Sequence, residues 1–212
     1  MKAYKEHFSD KDFLISFFTG LAFLIMSLII QFFVSSYVTR SGSGSVTDII
    51  LSNTRVYDVA GIFVWGTVVL LVLGFFIAVM HINKVPFAMK SIALFTLIRA
   101  VFVSLTHISP FPTHILISSP FFNKEVFSGI LTGNDLFFSG HTGIPFLLAL
   151  MCWDNKKLRY FFLGFSVLFA FVVLLGHLHY SIDVLSAFFI TYTIFDICKF
   201  FFKKDWQLFL KK

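Results

Sequence analysis

Charge is what this 212-residue sequence has least of: 13 % of its residues are Asp, Glu, Lys or Arg. Soluble domains carry about 25 %. Half that amount leaves too little polar surface to cover a water-soluble globule. The chain also has only two cysteines, Cys152 and Cys198. Neither has a partner at metal-ligand spacing, and both fall near the expected inner ends of helices, where thiols stay reduced. The first apolar run, 13–38, has no small-x-small cleavage site after it and is longer than the roughly 7–15 residues of a signal-peptide core. It is expected to be a retained helix. No linker divides the chain and no internal repeat is evident, so residues 1–212 are expected to form one domain.

What the sequence has in excess is apolar residues, 58 % of the total, with 32 phenylalanines. Several runs exceed the roughly 18 residues that a bilayer span requires. Helices are expected at 13–38, 56–82, 86–106, 136–153, 158–176 and 180–202. The fold class is therefore all-α: a polytopic bundle of six transmembrane helices.

Orientation follows from the basic residues. Thirteen of the 17 lysines and arginines gather on one side. Arg40, Arg55 and Lys124 lie on the other, and Arg99 lies within a span. Both termini are thus expected in the cytoplasm, with the loops around 39–55, 107–135 and 177–179 facing outward. The net charge of +6 is then an inner flank suited to anionic lipid headgroups, not a nucleic-acid surface. Arg40-Ser-Gly-Ser-Gly-Ser45 superficially resembles a phosphate loop but lacks the lysine and the preceding strand. The outward stretch with Pro110, Pro112 and Pro120 cannot be a continuous helix. It is apolar enough either to lie on the membrane interface or to fold back over a site.

Two short segments carry chemistry. In His179-Tyr-Ser-Ile-Asp183 the histidine and aspartate are four apart, on one face of a helix. A carboxylate there can fix one ring nitrogen and leave the other as nucleophile or base. Ser139-Gly-His-Thr142 opens another helix on the same side. There Gly140 allows close backbone approach, first-turn amides attract an anion, and Ser139 and Thr142 add hydroxyls. Arg99, buried in a span, offers a planar fork for phosphate oxygens, or else pairs with Asp135 or Asp48. Together these groups suit phosphoryl transfer: His179 attacks phosphorus, Asp183 holds it, His141 protonates the leaving alkoxide, and Arg99 with the amides at 140–142 holds the non-bridging oxygens. His177 lines the site or steadies Asp135. No metal or cofactor is called for. The competing readings are a zinc hydrolase with His141, His177 and His179 as ligands, and a transporter or structural protein. The lack of a broken-helix pair argues against a transporter.

At these residues the sequence resembles the sphingomyelin synthase family, a branch of the type 2 phosphatidic acid phosphatase (PAP2) superfamily. Asp135-Leu-Phe-Phe-Ser-Gly-His-Thr142 is similar to the family's third block, ending S-G-H-T. His179-Tyr-x-x-Asp183-Val184 with Thr191 is similar to the fourth, H-Y-x-x-D-V-x6-T. Arg99, Thr106 and Pro110 loosely follow the second block, and Asp48 alone remains of the first block's P-L-P-D. The resemblance implies a PAP2-like helical bundle whose catalytic triad is His141, His179 and Asp183, with Arg99, Asp135, Ser139, Gly140, Thr142 and Tyr180 as the substrate and phosphate set. It implies transfer of a phosphocholine or phosphoethanolamine headgroup from a phospholipid donor to ceramide, diacylglycerol or water. The alternative is a PAP2-type phosphatase acting on lipid phosphates or pyrophosphates. The short chain and its Phe, Ile and Lys content point to a bacterial inner membrane with the site facing the periplasm.

Overall fold

The structure, a computed structural model, describes residues 8–117 and 136–210. Asp135, Lys124, Pro120 and the rest of 118–135, the end of the second loop expected outward, lie outside the described residues. The architecture is all-helical: α1 Lys11–Ser41, α2 Ala60–Met80, α3 Val85–Thr106, α4 Gly140–Met151, α5 Lys156–Leu175, α6 Ser181–Phe201 and α7 Lys203–Leu210. Among the described residues, five helices are long and apolar enough to cross a membrane: α1, α2, α3 with its leading turn, α5 and α6. Their side chains mostly face outward, as expected of helices solvated by lipid tails.

The helix expected at 136–153 is shorter than the sequence suggested. α4 begins only at Gly140 and has 12 residues, about 18 Å at 1.5 Å per residue, against a hydrocarbon core of about 30 Å. The reason is local. Ser139 is extended and acts as N-cap, its side chain accepting from the Thr142 N–H, so Leu136–Ser139 cannot join the helix. Pro145 sits in the second turn without breaking it. Among the described residues, the six expected spans thus correspond to five helices of spanning length and one shorter apolar helix, α4.

α4 is the centre of the bundle. It packs against α5 and α6, while α1 pairs along α3. One core gathers Phe87, Phe95, Phe138, Leu147, Ala187 and Ile194 between α3, α4 and α6. A second joins α2, α4 and α5 through Phe63, Ala149, Phe162 and Phe169. Gly143 permits the tightest approach. A Cβ there would lie 2.7 Å from Phe95 ring atoms and 2.8 Å from Thr191 Oγ1. Because the Ser139 N–H donates to the Asp183 carbonyl at 3.1 Å, α4 and α6 start at the same level.

The loops expected to face outward fold over these helix starts. Ser43 donates through its N–H and Oγ to the His107 carbonyl at 2.8 and 2.7 Å, which ties the glycine-rich segment to the end of α3. Ile115 N–H donates to the Gly176 carbonyl at 3.0 Å, and Phe111 lies edge-on to His177 and Tyr180. The described part of the proline-bearing stretch therefore folds back over the α5–α6 turn.

At the far end, α7 was not expected from the sequence. Its Trp206 and Phe209 pack on Phe87, and its Asp205 pairs with Lys90 at 2.7 Å while also accepting from Ser16.

Candidate active site

His179 stands two residues before α6, reached through a left-handed turn at His177 (φ 53°). It is buried, 7 % exposed. Its Nδ1 lies 2.9 Å from the Leu136 carbonyl oxygen and 3.4 Å from Asp183 Oδ2. A carbonyl only accepts, so Nδ1 carries the proton, and in the neutral ring Nε2 holds the lone pair. The sequence led us to expect Asp183 as the orienting group. The structure makes a main-chain carbonyl the closer acceptor, with Asp183 as a longer second one.

Asp183 is fully buried. Its Oδ2 accepts from the Tyr180 N–H at 2.9 Å, while the Asp183 N–H donates to the Tyr180 carbonyl at 3.0 Å. The carboxylate thus closes the first turn of the helix while also facing the imidazole.

His141 is in the first turn of α4, with its ring against Phe63 (centroids 4.2 Å apart) and near Phe169 (5.7 Å). His179 and Arg99 both lie within electrostatic reach of it. Arg99 Nε donates to the Phe138 carbonyl at 2.8 Å, and its guanidinium lies over Gly140, whose added Cβ would sit 3.5 Å from Nε. Two histidines, an arginine and a helix N-terminus therefore converge. As in any helix, the first-turn amides, here those of Gly140 and His141, have no acceptor within the helix.

The remaining members of the expected set stand differently. Ser139 and Thr142 are fully buried. Ser139 Oγ accepts from the Thr142 N–H and Oγ1 at 3.4 and 3.2 Å, so both hydroxyls serve the cap. Tyr180 is also buried, and its hydroxyl donates to the Ser109 carbonyl at 2.8 Å and accepts from the Val46 N–H at 3.2 Å. It staples the loops that hold Val46 and Ser109 to α6. Asp135 lies outside the described residues.

His177 does not join the cluster. Its Nδ1 is 2.6 Å from Thr113 Oγ1 and its Nε2 3.4 Å from Thr54 Oγ1, beside a cavity of about 420 Å³ that Leu51, Phe111 and Pro112 also line. Burial holds its pKa below the ordinary value, with the nearby Asp48 charge opposing the shift. Among the described residues, no three His, Cys, Asp or Glu side chains gather to hold a metal ion. The His141/His177/His179 zinc arrangement thus has no geometry behind it.

Asp48 is placed not on Arg99 but on α6. Its Oδ2 accepts from the Ser181 N–H and Oγ, both at 2.7 Å, and its Oδ1 from the Ile50 and Leu51 N–H groups at 2.9 and 3.1 Å. Burial raises its pKa, but these four donors outweigh that and leave the carboxyl below its ordinary value. Sequence reasoning offered Asp48 as a candidate partner of Arg99 and as a block remnant, not as a tie to α6. Its position just after helix one was the one available signal. Nothing in the sequence announced the Leu136 carbonyl or the Phe63–Phe169 cradle.

Comparison of the chain with curated proteins and with solved structures returned no match in either case. Residues 132–200, about a third of the chain and the part that carries both histidine segments, match the family model described as PAP2 superfamily C-terminal, which supports a place for the protein in the PAP2 superfamily.

Proposed function

We propose that the protein is a membrane enzyme of the sphingomyelin synthase type. It moves a phospholipid headgroup phosphate through a phosphohistidine on His179. The observation that carries this reading is the fixed tautomer of His179, whose Nδ1–H is engaged by Leu136 O and whose electrostatic neighbours include His141.

In the first step the Nε2 lone pair attacks phosphorus and the bond from phosphorus to the diacylglycerol oxygen breaks. Protonated His141 gives its proton to that oxygen, and diacylglycerol leaves. In the second step His141, now neutral, takes the proton of an incoming hydroxyl. That oxygen bonds phosphorus as the N–P bond breaks, and His179 is regenerated. The acceptor is ceramide, diacylglycerol or water. The Arg99 guanidinium and the first-turn amides of α4 hold the charge on the non-bridging oxygens. The nearby Asp183 carboxylate stabilises the positive ring that forms when Nε2 is phosphorylated.

The placement of basic residues supports an exoplasmic site. Lys84, Lys90, Lys199, Lys203 and Lys204 belong to the ends of α3, α6 and α7 that lie away from His179. Cytoplasmic termini follow from the same placement. In a bacterium the site faces the periplasm.

The test is purified protein beside His179→Ala, each given phosphatidylcholine and phosphatidylethanolamine with and without ceramide or diacylglycerol, and phosphatidic acid in parallel. Diacylglycerol release from the diesters, abolished in the variant, is the expected result. Dependence on ceramide would identify a transferase, and independence a phospholipase C-like hydrolase. Inorganic phosphate from phosphatidic acid alone would replace this reading with a PAP2-type lipid phosphatase.

A further inference from the structure

His179, Tyr180 and Ser181 are held by three different groups. His179 bonds the Leu136 carbonyl. The Tyr180 N–H bonds Asp183. Ser181, the first residue of α6 and the midpoint between histidine and aspartate, bonds Asp48 through both its N–H and its hydroxyl at 2.7 Å. Asp48 lies in another loop, 133 positions away. It is itself held by the Ile50 and Leu51 amides and is 7 % exposed.

We propose that Asp48 is a positioning residue for the phosphoryl-transfer site: its carboxylate locks the first outward loop to the start of α6 and thereby fixes the backbone that carries His179 and Asp183. This rests on the headgroup-transfer reading above. Asp48 itself is not an acid, a base or a substrate ligand. A carboxylate has about four acceptor positions, and four donors already point at this one. A negative charge is also well placed there, since the N-terminus of a long helix carries positive potential. The site needs such a tie because α6 begins in the loop that reverses the chain after α5. An in-line attack also tolerates little error: about 1 Å of misplacement costs on the order of 100-fold in rate.

Two variants remove the tie from opposite sides. Asp48→Ala removes the acceptor. Ser181→Pro removes both donors while keeping the helix, because proline is favoured at the first helical position and Tyr180 before it is already extended (ψ 157°), as a pre-proline residue must be. Asp48→Asn is the graded control. Whichever way its amide turns, an NH2 group faces N–H donors, so it should fall between wild type and alanine.

The measurements are kcat and KM on the lipid substrate, and hydrogen exchange across residues 177–186, all in the same micelles. We expect Asp48→Ala and Ser181→Pro to lower kcat by about 10- to 100-fold with KM little changed, and exchange to rise in 177–186 but not in α1 or α3. Unchanged kcat in both variants would overturn the proposal. So would a rise in KM alone, which would make Asp48 a substrate contact. So would faster exchange throughout, which would make it a general fold residue. If wild type itself shows no His179-dependent turnover, the headgroup reading has failed, and that is distinct from these outcomes. The exchange of 177–186 then still decides whether the Asp48 tie exists.

Discussion

Replacing Gly143 by alanine tests the packing that sets the depth and angle of α4. The new Cβ would meet Phe95 Cε2 and Cζ at 2.7 Å and Thr191 Oγ1 at 2.8 Å, closer than real Cβ atoms come to anything. Neither neighbour has room to retreat, since Phe95 is 2 % exposed and Thr191 fully buried. Overpacking of this kind costs about 1–3 kcal/mol. Against it stands the helix propensity gained on leaving glycine, about 1 kcal/mol. With two helices pressing on one atom we take the upper half of the overpacking range, so the net expectation is a destabilisation of about 1–2 kcal/mol. Gly164→Ala in α5 isolates the packing effect, because a Cβ there meets nothing within 4 Å and keeps only the propensity gain. The assay is the unfolding midpoint in mixed micelles, followed by helical circular dichroism, for both variants and wild type. The order expected is Gly164→Ala at or above wild type, with Gly143→Ala clearly below. If Gly143→Ala unfolds at or above the Gly164→Ala midpoint, the reasoning about α4 is wrong. Activity gives a second reading. Gly143 is two residues from His141, so an α4 that shifts to admit the methyl should also lose turnover.

Other perturbations follow from the same contacts. Asp183→Asn keeps an oxygen acceptor where Oδ2 meets the Tyr180 N–H and His179 but removes the negative charge that stabilises the phosphorylated ring; turnover should fall by about 100-fold or more, and a rate within threefold of wild type would show that the charge is not used. Tyr180→Phe strips a partner from the Val46 N–H and the Ser109 carbonyl. It should lower the stability by about 1–3 kcal/mol, whereas a raised KM at unchanged stability would instead put Tyr180 on the substrate. Lys90→Ala leaves Asp205 buried without its cation and should cost about 3–5 kcal/mol, while Lys90→Met with Asp205→Leu should restore most of it; equal losses in single and double variants would refute the pairing. For pH, both His177 and Asp48 have pKa values below their ordinary ones, so the unfolded chain binds more protons than the folded one and stability rises with pH. Titrating the midpoint downward from pH 8 should show a decline beginning near the ordinary histidine value of about 6.5. A second decline should follow as pH passes from the ordinary Asp value down through the folded Asp48 value. Asp48→Asn should remove the second limb only.

The spans were legible because a bilayer imposes one dominant pattern. Expected starts and ends for α3, α5 and α6 lie within two residues of those observed. α2 begins four residues late because Tyr57 N–H is used on the Leu175 carbonyl at 2.9 Å, an extended contact that no hydropathy pattern carries. α4 deceived for a related reason. The stretch 136–153 is apolar both before Ser139 and from Ile144 on, so hydropathy alone does not mark where the helix begins. The Ser139 cap fixes the start, and the S-G-H-T motif was in plain view, but whether a cap is used depends on what the four preceding residues bond instead. Here they bond α6 and Arg99: the Ser139 N–H reaches the Asp183 carbonyl and the Phe138 carbonyl receives Arg99. α7 was missed because eight residues with a mixed face carry little signal until Phe87 and Lys90 supply its partners.

The same distinction separates what was visible of the site from what was not. Side chains with titratable or donor groups announce themselves, and His141, His179, Asp183 and Arg99 could be named from the sequence. Their orienting partners are largely main chain: Leu136 O for His179, Phe138 O for Arg99, the Asp183 carbonyl for Ser139. A carbonyl oxygen is present at every position, so its use at one of them leaves no trace in composition or motif. This has a physical consequence for the chemistry. A side-chain acceptor can rotate away, but a carbonyl fixed in the bent, non-helical lead to α4 cannot move without moving Ser139 and His141 with it. The histidine expected to attack and the histidine expected to protonate are thereby referenced to one stretch of backbone, 136–141. Changes that loosen that stretch should therefore degrade both steps together.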